Sequence, residues 1–161
     1  MDAGFEDVVV VLQKDEGDGL QPSLRRVIEE FQPTARCVEN PNWRTGMFTS
    51  VGAGLAAVEA AGHSTHVAVS PADLPFLGRE SLGTILSASD SVDERTLLVP
   101  THKGRRGHPL LFSTALIPRI LSWPGGRRLS SLFEEPDLSV RHLDGFDDGI
   151  LRDVDCPGDL R

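Results

Sequence analysis

The chain is poor in cysteine: Cys37 and Cys156 are the only two among 161 residues. Two such residues exclude a disulfide framework, and neither belongs to a metal-binding cysteine pair. Long apolar runs are missing too, and none approaches the ~18 residues that a membrane crossing needs. The first residues lack the positive charge of a secretory signal and carry Asp2, Glu6 and Asp7 instead. Positive charge is scarce throughout: 16 Lys and Arg stand against 24 Asp and Glu, for a formal net charge of −8. That balance argues against nucleic acid as a partner, because binding a phosphate backbone depends on clustered Lys and Arg. Small anionic ligands remain open, since they need only local basic groups. A reducing, cytoplasmic setting without membrane contact fits these absences.

What is present reads as one soluble domain. Hydrophobic residues make up 39% and charged residues 25%, and a chain of this length can fold around a single core. Val8–Leu12 is an apolar run that predicts a buried strand. The acidic stretch from Lys14 to Gly19 predicts a loop. Leu24, Val27, Ile28 and Phe31 recur at helical spacing behind Pro22 and Ser23, and Pro33 ends that helix. A short strand over Ala35–Val38 follows, then a small-residue helix with Val51, Leu55 and Val58 on one face, closed by Gly62.

Val67–Val69 predicts a buried parallel strand. Leu82, Ile85 and Leu86 mark a helix and Thr96–Pro100 a strand. Lys103–Gly107 reads as the polar turn of a hairpin leading into Leu110–Phe112. Helical segments over Ala115–Leu121 and Arg127–Phe133 come next, then strands over Ser139–Leu143 and Gly149–Leu151. Strands alternating with helices point to an α/β sandwich on a mainly parallel sheet.

The segment His66-Val67-Ala68-Val69-Ser70-Pro71-Ala72-Asp73-Leu74-Pro75-Phe76 sets a lone acid just past a strand end. Open α/β sheets bind ligands beyond the carboxyl ends of their strands, which makes Asp73 a candidate site residue. The other reading is a cap on the turn or on the following helix. Near the end of the chain, strand alternation would put Asp153 and Asp155 on one face with Val154 opposite. Facing Asp73, such a pair suits a hard divalent cation, because Mg²⁺ takes one or two carboxylates and leaves its other positions to water and phosphate. The alternative is a solvated turn capped by Asp159. Lys103, Arg105 and Arg106 are open to a substrate phosphate or simply to solvent. His63 and His66 lack a third ligand for zinc. Trp43 and Trp123 read as packing residues rather than base-stacking platforms.

Four segments, taken in order, resemble the MobA-like nucleotidyltransferase family, and above all its molybdenum cofactor cytidylyltransferase branch. Asn40-Pro41-Asn42-Trp43 with Gly46-Met47-Phe48-Thr49-Ser50 is similar to that branch's N-P-x-W-x-x-G-M-x-x-S loop. Asp73-Leu74-Pro75 resembles its D-x-P turn, and Gly104-Arg105-Arg106-Gly107-His108-Pro109 its G-x-x-G-H-P hairpin. Asp153–Leu160 is similar to its D-x-D-T-P-x-D-L close.

The resemblance implies a three-layer, Rossmann-like α/β fold of the nucleotide-diphospho-sugar transferase type, with a mostly parallel sheet. It also implies Mg²⁺-dependent transfer of a nucleotide, CMP in preference to GMP, from a nucleoside triphosphate. The acceptor would be a small phosphorylated molecule such as molybdopterin, with release of pyrophosphate. Such chemistry is positioning and charge neutralisation. On this reading Asp73 and Asp155 are catalytic, and Asp73, Asp155 and Asp153 hold the Mg²⁺. Asn40, Gly46, Met47 and Ser50 meet the nucleotide at a helix N-terminus, while Gly107, His108 and Pro109 line the acceptor side.

The chain departs from the family pattern at its start. Nothing in it matches the family's L-A-A-G-x-S-x-R-x-G loop, whose backbone N–H groups cradle a triphosphate. Ala3–Val11 resembles the entry to the family's second strand, and the chain stops at Arg161, where a last helix should begin. The expectation is therefore a single domain over residues 1–161, missing its first strand and helix and shortened at both ends. A central strand would be lost, leaving unpaired backbone beside Val8–Leu12 for rearrangement, a homodimer or a partner chain to complete. The same departure admits a second reading, a catalytically impaired relative that acts as a binding protein.

Overall fold

Four consecutive valines open the first strand, because β-branched side chains fit a pleated surface better than a helix. The computed structural model describes residues 5–15, 17, 20–31, 35–125 and 127–160. In chain order its elements begin with β1 (Val8–Gln13), α1 (Leu20–Phe31), β2 (Ala35–Asn40), α2 (Met47–Ala61) and β3 (His66–Val69). Then come α3 (Arg79–Ser87), β4 (Thr96–His102), β5 (Arg105–Arg106), β6 (Leu110–Ser113), α4 (Ile117–Leu121) and β7 (Ser139–Leu143). Short 3₁₀ turns cover Leu129–Glu134, Asp148–Ile150 and Pro157–Leu160. No helix among the described residues is long and apolar enough to cross a membrane.

The residues group into two compact units, each assembled from separate stretches of chain. One comprises Phe5–Ser64 and Leu116–Ser131, the other Thr65–Ala115 and Leu132–Arg161. In the first, β1 and β2 pair in parallel from Val8↔Ala35 to Gln13↔Asn40. Helix α2 packs across both strands. The approach is close at Gly54, where a Cβ would stand 3.1 Å from the Val11 side chain, and Leu55 beside it is buried. The helix ends at Gly62 in a left-handed conformation (φ +70°), as expected of a C-cap glycine. Helix α4 packs on α2, and Trp123 stacks between Phe48 (centroids 5.9 Å apart) and Arg127 (4.3 Å), so this tryptophan is a packing residue.

In the second unit the strand order is β3-β6-β4-β5, and β7 also pairs with β4. Its core is Ile85, Val92, Leu98, Leu111, Phe146 and Ile150. The hairpin expected at Lys103–Gly107 forms, with Thr101↔Arg106 and His102↔Arg105 paired around a turn in which Lys103 and Gly104 both have positive φ. That turn sends β6 back antiparallel to β4 and to β3.

Three elements depart from the sequence reading. The α/β class stands, but the pairing is mixed: β1–β2 and β4–β7 are parallel, whereas β3–β6, β4–β6 and β4–β5 are antiparallel. Val67–Val69 is therefore a half-buried antiparallel strand, because an apolar run carries no information about its neighbour's direction. Gly149–Leu151 is not a strand. Asp147 caps a 3₁₀ turn there by accepting from the Gly149 N–H at 2.9 Å. Among the described residues, β1 pairs on one side only, with β2, and β3 only with β6. The helix stop at Pro33, and Glu16, Asp18 and Gly19 of the first loop, lie outside the described residues.

Candidate functional site

After β3 the chain turns through Ser70–Phe76 before α3 starts. The N-cap of α3 is Gly78, with no side-chain cap bond, so Asp73 does not cap this helix. Asp73 is exposed, and among the described residues its carboxylate accepts no hydrogen bond. Its carbonyl oxygen accepts from the Val154 N–H at 2.9 Å. That bond fastens the segment carrying Asp153 and Asp155 to the acidic turn. The strand alternation expected to align those two acids is absent, because residues 152–154 follow a 3₁₀ turn rather than a ladder. Both acids are exposed.

The third segment is Gly107-His108-Pro109. The His108 N–H donates to the Ile150 carbonyl at 3.0 Å, and the His108–Pro109 bond is cis. Gly107 is buried, and a Cβ on it would stand 2.6 Å from the Ile150 carbonyl oxygen. Gly149 is equally confined, since a Cβ there would overlap the Phe76 carbonyl. Two glycines thus let three stretches of backbone close on one another. Desolvation lowers the pKa of the His108 imidazole below its ordinary 6.5; a hydrogen bond to the Val69 backbone and the charge of Asp73 oppose that shift. His108 therefore stands by the end of β3 and within electrostatic reach of Asp73.

Asp159 has a different task. Its Oδ2 accepts from the N–H groups of Asp155 (3.0 Å) and Cys156 (2.9 Å), and the Cys156 bonds hold its pKa below the usual carboxylate value. It is the capping acid of the closing turn, and it leaves the carboxylates of Asp73, Asp153 and Asp155 to other uses. No set of three His, Cys, Asp or Glu among the described residues converges as a metal cage. Hard oxygen donors on two exposed segments nevertheless fit Mg²⁺ or Mn²⁺, which take one or two carboxylates and fill the rest with water and phosphate oxygens.

Sequence reasoning missed one residue here. The Arg152 guanidinium lies over the Phe76 ring, its carbon 3.8 Å from the centroid. The only signal was a basic residue directly before Asp153 in a run read as strand.

The Asn40–Ser50 loop belongs to the other unit. Asn40 is only 2% exposed; its Nδ2 donates to Thr49 Oγ1 (2.8 Å) and Ser50 Oγ (2.9 Å), and its Oδ1 accepts from the Asn42 N–H (2.9 Å). Asn40 and Ser50 are thus spent on holding the loop. Gly46 (φ +127°) and Met47 (79% exposed) face outward at the start of α2. Arg44 lies 4.5 Å over the Trp43 ring.

A family model described as MobA-like NTP transferase domain matches residues 1–142. The chain is 31% identical to nicotine blue oxidoreductase of Paenarthrobacter nicotinovorans, over 94% of this chain and 72% of that protein. Its fold is similar to the crystal structure of Rv0371c from Mycobacterium tuberculosis H37Rv (TM-score 0.69, 21% identity, 98% of this chain and 75% of that one). A manganese complex of the same protein matches with a TM-score of 0.66 at 20% identity, over 98% of this chain and 77% of that one.

Proposed function

The chain belongs to the MobA-like NTP transferase family, and from that premise we propose that it transfers a nucleotide from a nucleoside triphosphate to a small phosphorylated acceptor. The observation that carries this reading is the Val154–Asp73 backbone bond, which holds two acidic segments together at the end of β3. Asp73, with Asp155 or Asp153, would hold the divalent metal. A bound Mg²⁺ supplies neutralisation of phosphate charge, the main requirement of phosphoryl chemistry. The manganese complex of a protein with this fold supports a divalent metal.

The chain's own residues set the rest. Asp73 and its partner acid, set by fixed backbone, would hold the divalent metal that takes up phosphate oxygens. His108, whose pKa desolvation lowers, offers a polar edge by the end of β3, and Gly107 and Pro109 shape the acceptor side. In the other unit, the exposed start of α2 at Gly46 and Met47, braced by Asn40 and Ser50, presents first-turn N–H groups of the kind that favour anions. The donor is CTP in preference to GTP, and the acceptor class is a phosphorylated pterin such as molybdopterin.

The test is pyrophosphate release from CTP or GTP with Mg²⁺ and a phosphorylated pterin, repeated with Asp73→Asn. Release by the wild type and its loss in the variant support the reading. A second reading comes from the relative named for an oxidoreductase. If the chain catalyses an oxidation or reduction and releases no pyrophosphate, that reading replaces the first. If neither nucleotide binds with Mg²⁺ present, a binding role without turnover stands instead.

A further inference from the structure

We infer that the outer edge of β1 joins two copies of this chain in an antiparallel, two-fold pair centred on Val10. Strand β1 has a ladder toward β2, and among the described residues its other edge has no partner. One bond fixes which backbone groups lie on that edge. The Lys14 N–H donates to the Asn40 carbonyl, so Lys14 and the residues in step with it, Leu12, Val10 and Val8, face β2. Val9, Val11 and Gln13 therefore turn their N–H and C=O groups outward.

Stable proteins guard such edges with charge, proline or a bulge. The opposite edge of this sheet is guarded, since β2 carries Arg36 and Glu39. Val8–Leu12 has no such guard. It is four valines and a leucine, and its register with β2 runs unbroken from Val8↔Ala35 to Gln13↔Asn40. A second copy fits this edge in one direction. Both copies turn the same residues outward, so a closed two-fold pair has to run antiparallel, with outward residues opposite outward residues. That places the axis on a residue rather than between two. With Val10 on the axis, Val9 exchanges both bonds with Val11 of the second copy, Val8 meets Leu12, and Glu6 meets Lys14. Glu6 and Lys14 are exposed, and neither has an ion-pair partner among the described residues. Opposite charges placed directly across a ladder stabilise it. Centring on Val9 or Val11 loses that match, because Glu6 then meets Leu12 or Lys14 meets Val8.

The test is the oligomeric state of the whole chain, read by sedimentation velocity over a range of concentrations. The wild type should show a monomer–dimer equilibrium that stops at two copies. Val9→Pro should weaken the dimer by about tenfold or more, because it removes an outward N–H that the β2 ladder does not use. Glu6→Lys and Lys14→Glu should each weaken it by about threefold, since like charges then face each other. The double swap, Glu6→Lys with Lys14→Glu, should restore the wild-type affinity. Both charged positions are exposed, so these variants carry the test if Val9→Pro fails to fold. A wild type that stays monomeric at its highest soluble concentration overturns the inference. So does a dimer that Val9→Pro and the charge variants leave unchanged, or one that the double swap fails to restore. Growth beyond two copies overturns the closed two-fold pair.

Discussion

The Val154 N–H donates to the Asp73 carbonyl oxygen at 2.9 Å, across a gap of most of the second unit's sequence. The bond uses the backbone of Asp73 and leaves its carboxylate exposed. Structure and chemistry are therefore separable at this residue, and substitution of the side chain alone can probe the second without disturbing the first.

Asp73→Asn should keep its melting temperature within a degree or so, because an exposed carboxylate that accepts no hydrogen bond among the described residues contributes little to stability. Its Mn²⁺ affinity should fall by more than the roughly 10- to 100-fold that loss of an outer-shell partner costs. Titration calorimetry with Mn²⁺ reads the loss, and a thermal melt reads the fold. Equal metal affinity in both proteins would remove Asp73 from the metal site.

Gly149→Ala and Gly107→Ala should each cost about 1–3 kcal/mol or more, because the added methyl meets backbone that cannot yield. Gly83→Ala is the contrast. It lies inside α3 with nothing within 4 Å of an added methyl, and should gain about 0.5–1 kcal/mol from helix propensity and a less flexible unfolded chain. Urea unfolding of the three variants settles the signs.

Asn40→Ala removes three hydrogen bonds from a residue that is 2% exposed, and should cost about 2 kcal/mol. Ser50→Ala removes one of them and should cost about 1 kcal/mol. Faster proteolysis within Pro41–Gly46 in the first variant, and not in the second, would show that Asn40 is what braces the loop.

The Asp7–Arg36 pair, 2.5 Å between Oδ2 and Nη2, gives a pH dependence with a definite sign. The Arg36 hydrogen bond is the largest cause holding the Asp7 pKa below 3.8 in the folded protein. Near that pH the unfolded chain binds more protons, so the contribution is full above about 3.8 and is lost as pH falls through the folded value. In denaturant melts, Asp7→Asn should flatten the loss of stability between about pH 5 and pH 2 and change little at neutral pH relative to its own plateau.

Much of the fold was legible because the elements carry local signals: valines for β1, Gly62 for the end of α2, and Lys103-Gly104 for the hairpin. Strand direction was not, since β3 reads equally well beside a parallel or an antiparallel neighbour. The turn at Asp148–Ile150 was hidden because Gly149-Ile150-Leu151 resembles a strand until the Asp147 cap and the carbonyl above Gly149 are seen. At the candidate site the acids were visible as types, and their sorting was not. Asp159 differs from Asp155 only in having two backbone donors in front of it. Arg152 was invisible because its partner, Phe76, lies far away in sequence.

Strand β4 receives β5 and β6 on the return of its own hairpin, and β7 only after the chain has run through Leu129–Glu134. Closing the hairpin costs little chain entropy, whereas docking β7 and β3 closes much longer loops. The order of assembly follows. By loop length, the β4–β6 hairpin should pair first and the bond between Val154 and Asp73 should form late. The acidic site should then be among the last parts of this unit to take shape, which amide exchange at Val154 would read as early opening.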